Sequence, residues 1–218
     1  MQKDVFLSGE GNAWYRRNKS NLDNLNQHND SVCEFIHQQN LLPTSVLEIG
    51  CASGERLNAI NQQFSADCCG IDVSNEAVNS GSEKFKQLSL TAGSADSLPY
   101  KDESFDLVIF GFCLYLCDRK DLFKIAYEAD RVLKDNGMII IKDFHPPFPF
   151  KNTYSHCENI YSYKMNYSQL FTWNPAYTLL SSNILGHDLT ADRKDVDERI
   201  SLCLLYKDLE GGYPANPK

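Results

Sequence analysis

Residues 46–54 read VLEIGCASG, and the fold turns on how that stretch is read. Val46, Leu47 and Ile49 form a short apolar run that stops at small residues, the mark of a strand buried on both faces. Pro43 closes off what precedes, so the strand is expected over 45–50. A G-x-A-x-G turn follows at Gly50, Ala52 and Gly54, and then a helix-like segment at 54–63. In open α/β sheets a ligand sits at the carboxyl ends of the strands, which makes this turn the floor of a site. Small side chains there let a ligand approach the backbone closely.

The flanking acids say which ligand. A dinucleotide fingerprint, G-x-G-x-x-G, needs a third glycine where Glu55 stands. Glu48, at the strand end, repels a pyrophosphate and attracts a cationic amine. Asp72 ends the next apolar run, where it can accept hydrogen bonds from ribose hydroxyls. One cationic amine and one ribose, without phosphates, describe S-adenosylmethionine better than a nicotinamide dinucleotide.

Working outward, further strand candidates lie at 68–73, 87–91, 105–111, 138–142 and 199–206, with helix-like segments at 75–86 and 119–134 and an amphipathic stretch at 21–39. Strands alternating with helices of this length predict a doubly wound, mostly parallel α/β sheet with helices on both faces, in one domain over residues 1–218.

Four motifs in order then resemble the class I S-adenosylmethionine-dependent methyltransferases of the small-molecule subgroup, over roughly residues 44–143. VLEIGCASG resembles the family's E-x-G-x-G-x-G, with Ala52 at the middle glycine. GIDVS carries Asp72. GSADSLPYKDESFDLVIF is similar to G-D-A-x-x-L-P-F followed by F-D-L-V, and RVLKDNGMIII to the R-V-L-K-P-G-G turn. The resemblance implies a seven-stranded sheet and S-adenosyl-L-methionine as cofactor, with S-adenosyl-L-homocysteine as product. It also implies roles. Glu48, Gly50, Cys51 and Gly54 would line the methionine end, Asp72 would bind the ribose, and Val73 would pack on the adenine. Ala95 and Asp96 would meet the adenine edge, and Phe110 and Gly111 would flank the methionine portion. Two departures bear on cofactor affinity: Ser94 stands for a usual Asp, and Ala52 for a Gly. Leu114-Tyr115-Leu116 occupies a place where the family often has histidine.

The N-terminal GEGNAWYRRNK predicts a lid within residues 1–40, with Trp14 covering the cofactor and Arg17 pairing with its carboxylate. Its E-G-x-x-W-x-x-R-N pattern is similar to methyltransferases of bacterial surface-sugar and flagellar-glycan pathways. Residues 144–177 hold 10 of the chain's 25 aromatics, where even spreading would give about 4. An aromatic substrate cap over 144–198 is expected from them, a homodimer contact being the other use of such rings. A base is needed if the acceptor must lose a proton. Asp143, His145 and Tyr115 are the candidates, and replacing His145 with Ala is expected to lower turnover by about tenfold or more with cofactor binding intact.

Charge excludes some classes. Lys and Arg total 21 against 29 Asp and Glu, a net −8 with no basic run, which argues against nucleic acid as partner. No stretch has the roughly 20 apolar residues of a membrane span, and the first residues do not read as a secretory signal, so a cytoplasmic protein is expected. Of the eight cysteines, Cys68 and Cys69 are adjacent and Cys113 and Cys117 lack a second pair, so neither disulfides nor a metal site is expected. The expected partner is a small molecule. An NAD-dependent oxidoreductase and a non-catalytic cofactor-binding protein are the rival readings.

Overall fold

The structure is a computed structural model that describes residues 1–26, 28–187, 192 and 194–216. Strands β1 (Ser45–Ile49), β2 (Asp67–Asp72), β3 (Ser89–Ala92), β4 (Phe105–Gly111) and β5 (Leu133–Phe144) run parallel. A hairpin of β6 (Phe150–Thr153) and β7 (Tyr161–Lys164) stands apart, and β8 (Tyr177–Gly186) and β9 (Arg199–Lys207) complete the main sheet antiparallel. The seven-stranded order is β3-β2-β1-β4-β5-β9-β8. Chain direction across the sheet reverses between β1 and β4, so their carboxyl ends, Gly50 and Gly111, flank the switch point where such sheets bind ligands.

Alternation along the central strands builds two apolar layers. Leu47, Ile49, Phe110, Ile139 and Ile141 face α6 (Leu122–Val132). Val46, Leu107, Ile109 and Ile140 face α3 (Ser31–Gln38) and α4 (Glu55–Phe64). Helix α5 (Asn75–Lys84) connects β2 to β3. The short helices α1 (Gln2–Val5), α7 (Gln169–Thr172) and α8 (Leu209–Gly212), and the longer α2 (Gly11–Leu22), complete the chain. No helix among the described residues is long and apolar enough to cross a membrane.

Three expectations change. The stretch 21–39 is not one amphipathic element: α2 ends at Leu22, and α3 starts only after Asp30, whose Oδ1 accepts from the Val32 and Cys33 amides at 2.9 and 3.0 Å. The Asn- and Asp-rich sequence between them favours local side-chain bonds over a continuous helix. The Asp135-Asn136-Gly137 turn lies inside β5 as an irregularity: Phe105 pairs with Leu133 and Leu107 with Met138, while Asn136 takes φ 62°. Strand β8 carries Thr178, Ser181, Ser182 and Asn183 at the sheet edge, so its composition gives little apolar signal.

Much of the aromatic segment is core. Phe144, Tyr167, Phe171 and Tyr177 are buried against the α6 face, whereas Phe148 and Trp173 are exposed. Residues 188–191 and 193 of the expected cap, and residue 27 of the expected lid, lie outside the described residues.

Candidate active site

The glycine loop is shaped by backbone conformation. Gly50 and Gly54 adopt φ of 78° and 82°, and Ala52 between them adopts 47°, a left-handed value that costs about 1–2 kcal/mol for a residue with a Cβ. The turn is fixed from below by Asp72, whose Oδ2 accepts from the Ala52 amide at 2.9 Å and whose Oδ1 accepts from Ser74 at 2.8 Å. Each carboxylate oxygen keeps a further lone pair, the capacity a vicinal diol needs. Burial raises the Asp72 pKa above the ordinary carboxylate value, against those two backbone donors.

Glu48 is buried at the end of β1. Its Oε1 pairs with Arg56, from the first turn of α4, and Arg56 also reaches Asp30 at 3.0 Å. Its Oε2 has no partner, an orphaned acceptor that fits an incoming ammonium. Burial lifts its pKa to about 7, with Arg56 opposing. A Cβ at Gly111 would stand 2.4 Å from Glu48 Oε1, so a side chain there would displace that carboxylate.

Two cavities open at the switch point. The first, about 850 Å³, is lined by Lys3, Phe6, Gly11, Trp14, Ile49, Gly50, Ile71, Asp72, Val73, Ala95, Asp96, Gly111, Phe112 and Cys113, among others. The second, about 860 Å³, is lined by Trp14, Asn21, Leu22, Leu25, Glu48, Gly50, Cys51, Ala52, Glu55, Arg56, Gly111, Phe112, Lys142 and His187. Trp14, Gly50, Gly111 and Phe112 belong to both. The first is mainly apolar with acids at its rim, and the second is charged.

Asp96 sits at the far end of the first cavity. It accepts from Lys3 Nζ at 2.8 Å and Ser94 Oγ at 2.6 Å. Burial would raise its pKa, yet these two bonds outweigh it and hold the carboxyl at about 2. Lys3 is delivered by the N-terminal helix. Gln2 Nε2 donates to the Leu116 and Tyr161 carbonyls at 2.6 and 2.9 Å, strapping α1 to the turn at Leu114–Leu116 and to β7. Helix α2 is held against α5 by Asn12 Oδ1, which accepts from Ser74 Oγ at 2.9 Å and the Glu76 amide at 3.2 Å.

The remaining expected residues spread out. Arg17 lines neither cavity; it pairs with Glu10 and donates to Tyr154 Oη at 2.9 Å. Phe110 is fully buried against Phe171, and its neighbour Phe112, in the left-handed region at φ 63°, takes the cavity wall. Asp143 is 1% exposed: Oδ2 accepts from the Leu114 and Tyr115 amides at 2.9 and 3.4 Å, and Oδ1 from Phe144 at 2.8 Å. Burial raises its pKa to about 7, and the three amides oppose this. Tyr115 packs on Phe112 and Phe144, and burial pushes its phenol up. His145 Nδ1 is 2.8 Å from Ser201 Oγ, and burial lowers its pKa. Among Asp143, His145 and Tyr115, none lines either cavity.

Residues absent from the sequence reading fill that gap. Arg56, Lys142, Phe112 and His187 line the second cavity, with the His187 ring stacked 5.1 Å above Phe112. None of the ten aromatics in 144–177 lines either cavity; Phe144 backs Phe112 and His187 from behind, at 5.0 and 5.6 Å. The eight cysteines are free, and no cluster fit to hold a metal occurs among the described residues.

Comparisons with known proteins meet this geometry. A methyltransferase-domain family model matches residues 47–141. A demethylmenaquinone methyltransferase of Thermotoga maritima is 29% identical over 176 residues, 74% of this chain and 70% of that protein. One from Staphylococcus aureus strain JH9 is 32% identical over 119 residues, 51% of this chain; the match spans about half of that relative, 48%. A crystal structure of an S-adenosylmethionine-dependent methyltransferase from Methanosarcina mazei superposes with TM-score 0.64 at 17% identity, covering 81% of this chain and 98% of the other, a likeness of fold. With the glycine loop, the paired acids at β1 and β2 and the seven-stranded order, these likenesses support a class I S-adenosylmethionine-dependent methyltransferase.

Proposed function

We propose that the chain moves a methyl group from S-adenosylmethionine to an oxygen or nitrogen of a small polar metabolite, sugar-like acceptors among them. The observation that carries this is the second cavity, which adjoins the first at Gly111 and Phe112 and is walled by Glu55, Arg56, Lys142 and His187. Arg56 pairs with Glu48 and Asp30, Glu55 with Lys84 and His187 with Glu198, but Lys142 has no partner among the described residues, so an apolar acceptor would leave that charge uncompensated, which is costly. S-adenosylmethionine, when bound, supplies an electrophilic methyl group on a sulfonium. Asp72 holds the ribose, the free Glu48 oxygen takes the ammonium, and Ala95 and Asp96 meet the adenine. Trp14 and Phe112, shared by both cavities, exclude water where they join. Incubation with methyl-labelled cofactor and a panel of monosaccharides, amino sugars and quinols tests the reading by mass spectrometry. Label in a sugar or amine product is expected. Label confined to quinol carbon supports the second reading, favoured by the named relatives, of a C-methyltransferase on a quinol.

Two further outcomes follow from the geometry. Glu48 must be ionised to attract the ammonium, and its carboxyl is lifted to about 7 by burial. Affinity for S-adenosylhomocysteine therefore rises with pH between 6 and 8, approaching about tenfold per unit below the pKa. A flat calorimetric profile over that range sinks the assignment. His145 is bonded to Ser201 outside both cavities, beyond the reach of a proton on the acceptor. His145→Ala is expected to keep turnover within about twofold, and a loss of about tenfold would restore the ring as base.

A further inference from the structure

Lys142, half-buried at the end of β5, is out of keeping with the buried Lys164 and Lys207. Lys164 Nζ donates to Asp197 at 2.6 and 3.1 Å, and Lys207 Nζ to the Asp130 and Leu133 carbonyls at 2.9 and 3.2 Å. Lys142 Nζ has neither a hydrogen bond nor an ion pair among the described residues, although it lines the second cavity. The groups facing it are Arg56, Asp30 and Glu48. Arg56 already engages both acids, taking Glu48 Oε1 and Asp30 Oδ1 and Oδ2. Burial, and then the Arg56 charge, lower the Lys142 pKa to about 8. A half-buried ammonium that lines a cavity without a partner favours a ligand that supplies the counter-charge.

Position says what does. Asp96, Asp72 and Gly50 trace the first cavity across β2 and β1 to Gly111 on β4. Lys142 is paired with Gly111 in the β4–β5 register, one strand further, and His187 follows β8 at the outer edge. Glu48 and Cys51 line the second cavity too, so the cofactor's methionine end would enter it from the β1 side, with Lys142 and His187 further toward the antiparallel edge. Trp14, Phe112 and His187 give the same cavity flat aromatic walls.

We propose that the second cavity binds an acceptor that carries a carboxylate, which pairs with Lys142 while its planar part lies against Phe112 and His187. This rests on the methyltransferase reading and narrows its acceptor to an anionic class.

The test uses the full chain saturated with S-adenosylhomocysteine and titrated calorimetrically with benzoate, with benzamide as the neutral control. Benzoate is expected to bind about tenfold more tightly than benzamide, and Lys142→Met to remove that advantage. The variant should also unfold at a higher temperature, since a side chain of similar length replaces an unpaired ammonium. Its affinity for S-adenosylhomocysteine stays unchanged. Benzoate binding that is absent, or equal in both proteins, overturns the proposal. So does a fall of about tenfold in S-adenosylhomocysteine affinity with 5′-methylthioadenosine unaffected, because Lys142 would then hold the cofactor's own carboxylate. If neither adenosyl compound binds the native chain, the methyltransferase reading fails, while Lys142-dependent benzoate binding in their absence still supports the anion pocket.

Discussion

Asp72→Asn is expected to weaken S-adenosylhomocysteine binding about 100-fold, about 2.7 kcal/mol, because one hydrogen bond to a charged acceptor, worth about 1.5–3 kcal/mol, goes and another loses its charge. The effect has two sources. An amide has one acceptor oxygen, so it cannot take both the Ala52 and Ser74 amides, and its NH2 must face one of those donors. The same amide offers the ribose a poorer partner. The loop strain at Ala52, held by the 2.9 Å bond to Asp72, is released as well. Calorimetry on the variant checks the affinity, and a loss smaller than about threefold would remove Asp72 from the binding site.

Asp143→Ala should cost about 3 kcal/mol of stability, two buried amides each losing a partner at about 1–3 kcal/mol. The Leu114 and Phe144 amides, 2.9 and 2.8 Å from the carboxylate, sit where water does not reach. The sign with pH is fixed by burial, which raises the folded pKa to about 7 from the ordinary 3.8. A raised carboxyl stabilises fully below the unfolded pKa and loses that contribution as pH rises through the folded one. The gap between native protein and variant therefore narrows from pH 5.5 to pH 8 in urea unfolding. A variant of native stability with lost turnover would instead make Asp143 a group that acts on the acceptor.

What the sequence disclosed was local. Glu48, Gly50, Gly54 and Asp72 are legible because a strand, a tight turn and a helix follow one another within a few residues. The second cavity is assembled from residues that are distant in sequence. Arg56 reads as a solvated position in the first turn of a helix, and only the fold brings Asp30, from the cap of α3, against it. Lys142 ends the run MIIIK like any strand-terminating lysine, yet the fold brings it to the second cavity beside Arg56. His145 follows the same strand in sequence, but β9 pairs with the chain there, the His145 amide donating to the Arg199 carbonyl at 2.9 Å, and the ring goes to Ser201. The aromatic excess was visible as composition, whereas its division between core and surface depends on α7 packing against α6 and on β8 joining the sheet edge.

The paired acids at the ends of β1 and β2 are proposed to hold an adenosyl amino acid and not a dinucleotide. Titration of the native chain with S-adenosylhomocysteine and, separately, with NAD tests it most directly. One-to-one binding of S-adenosylhomocysteine with no heat from NAD is the result expected. Binding of NAD with none of S-adenosylhomocysteine would contradict the account.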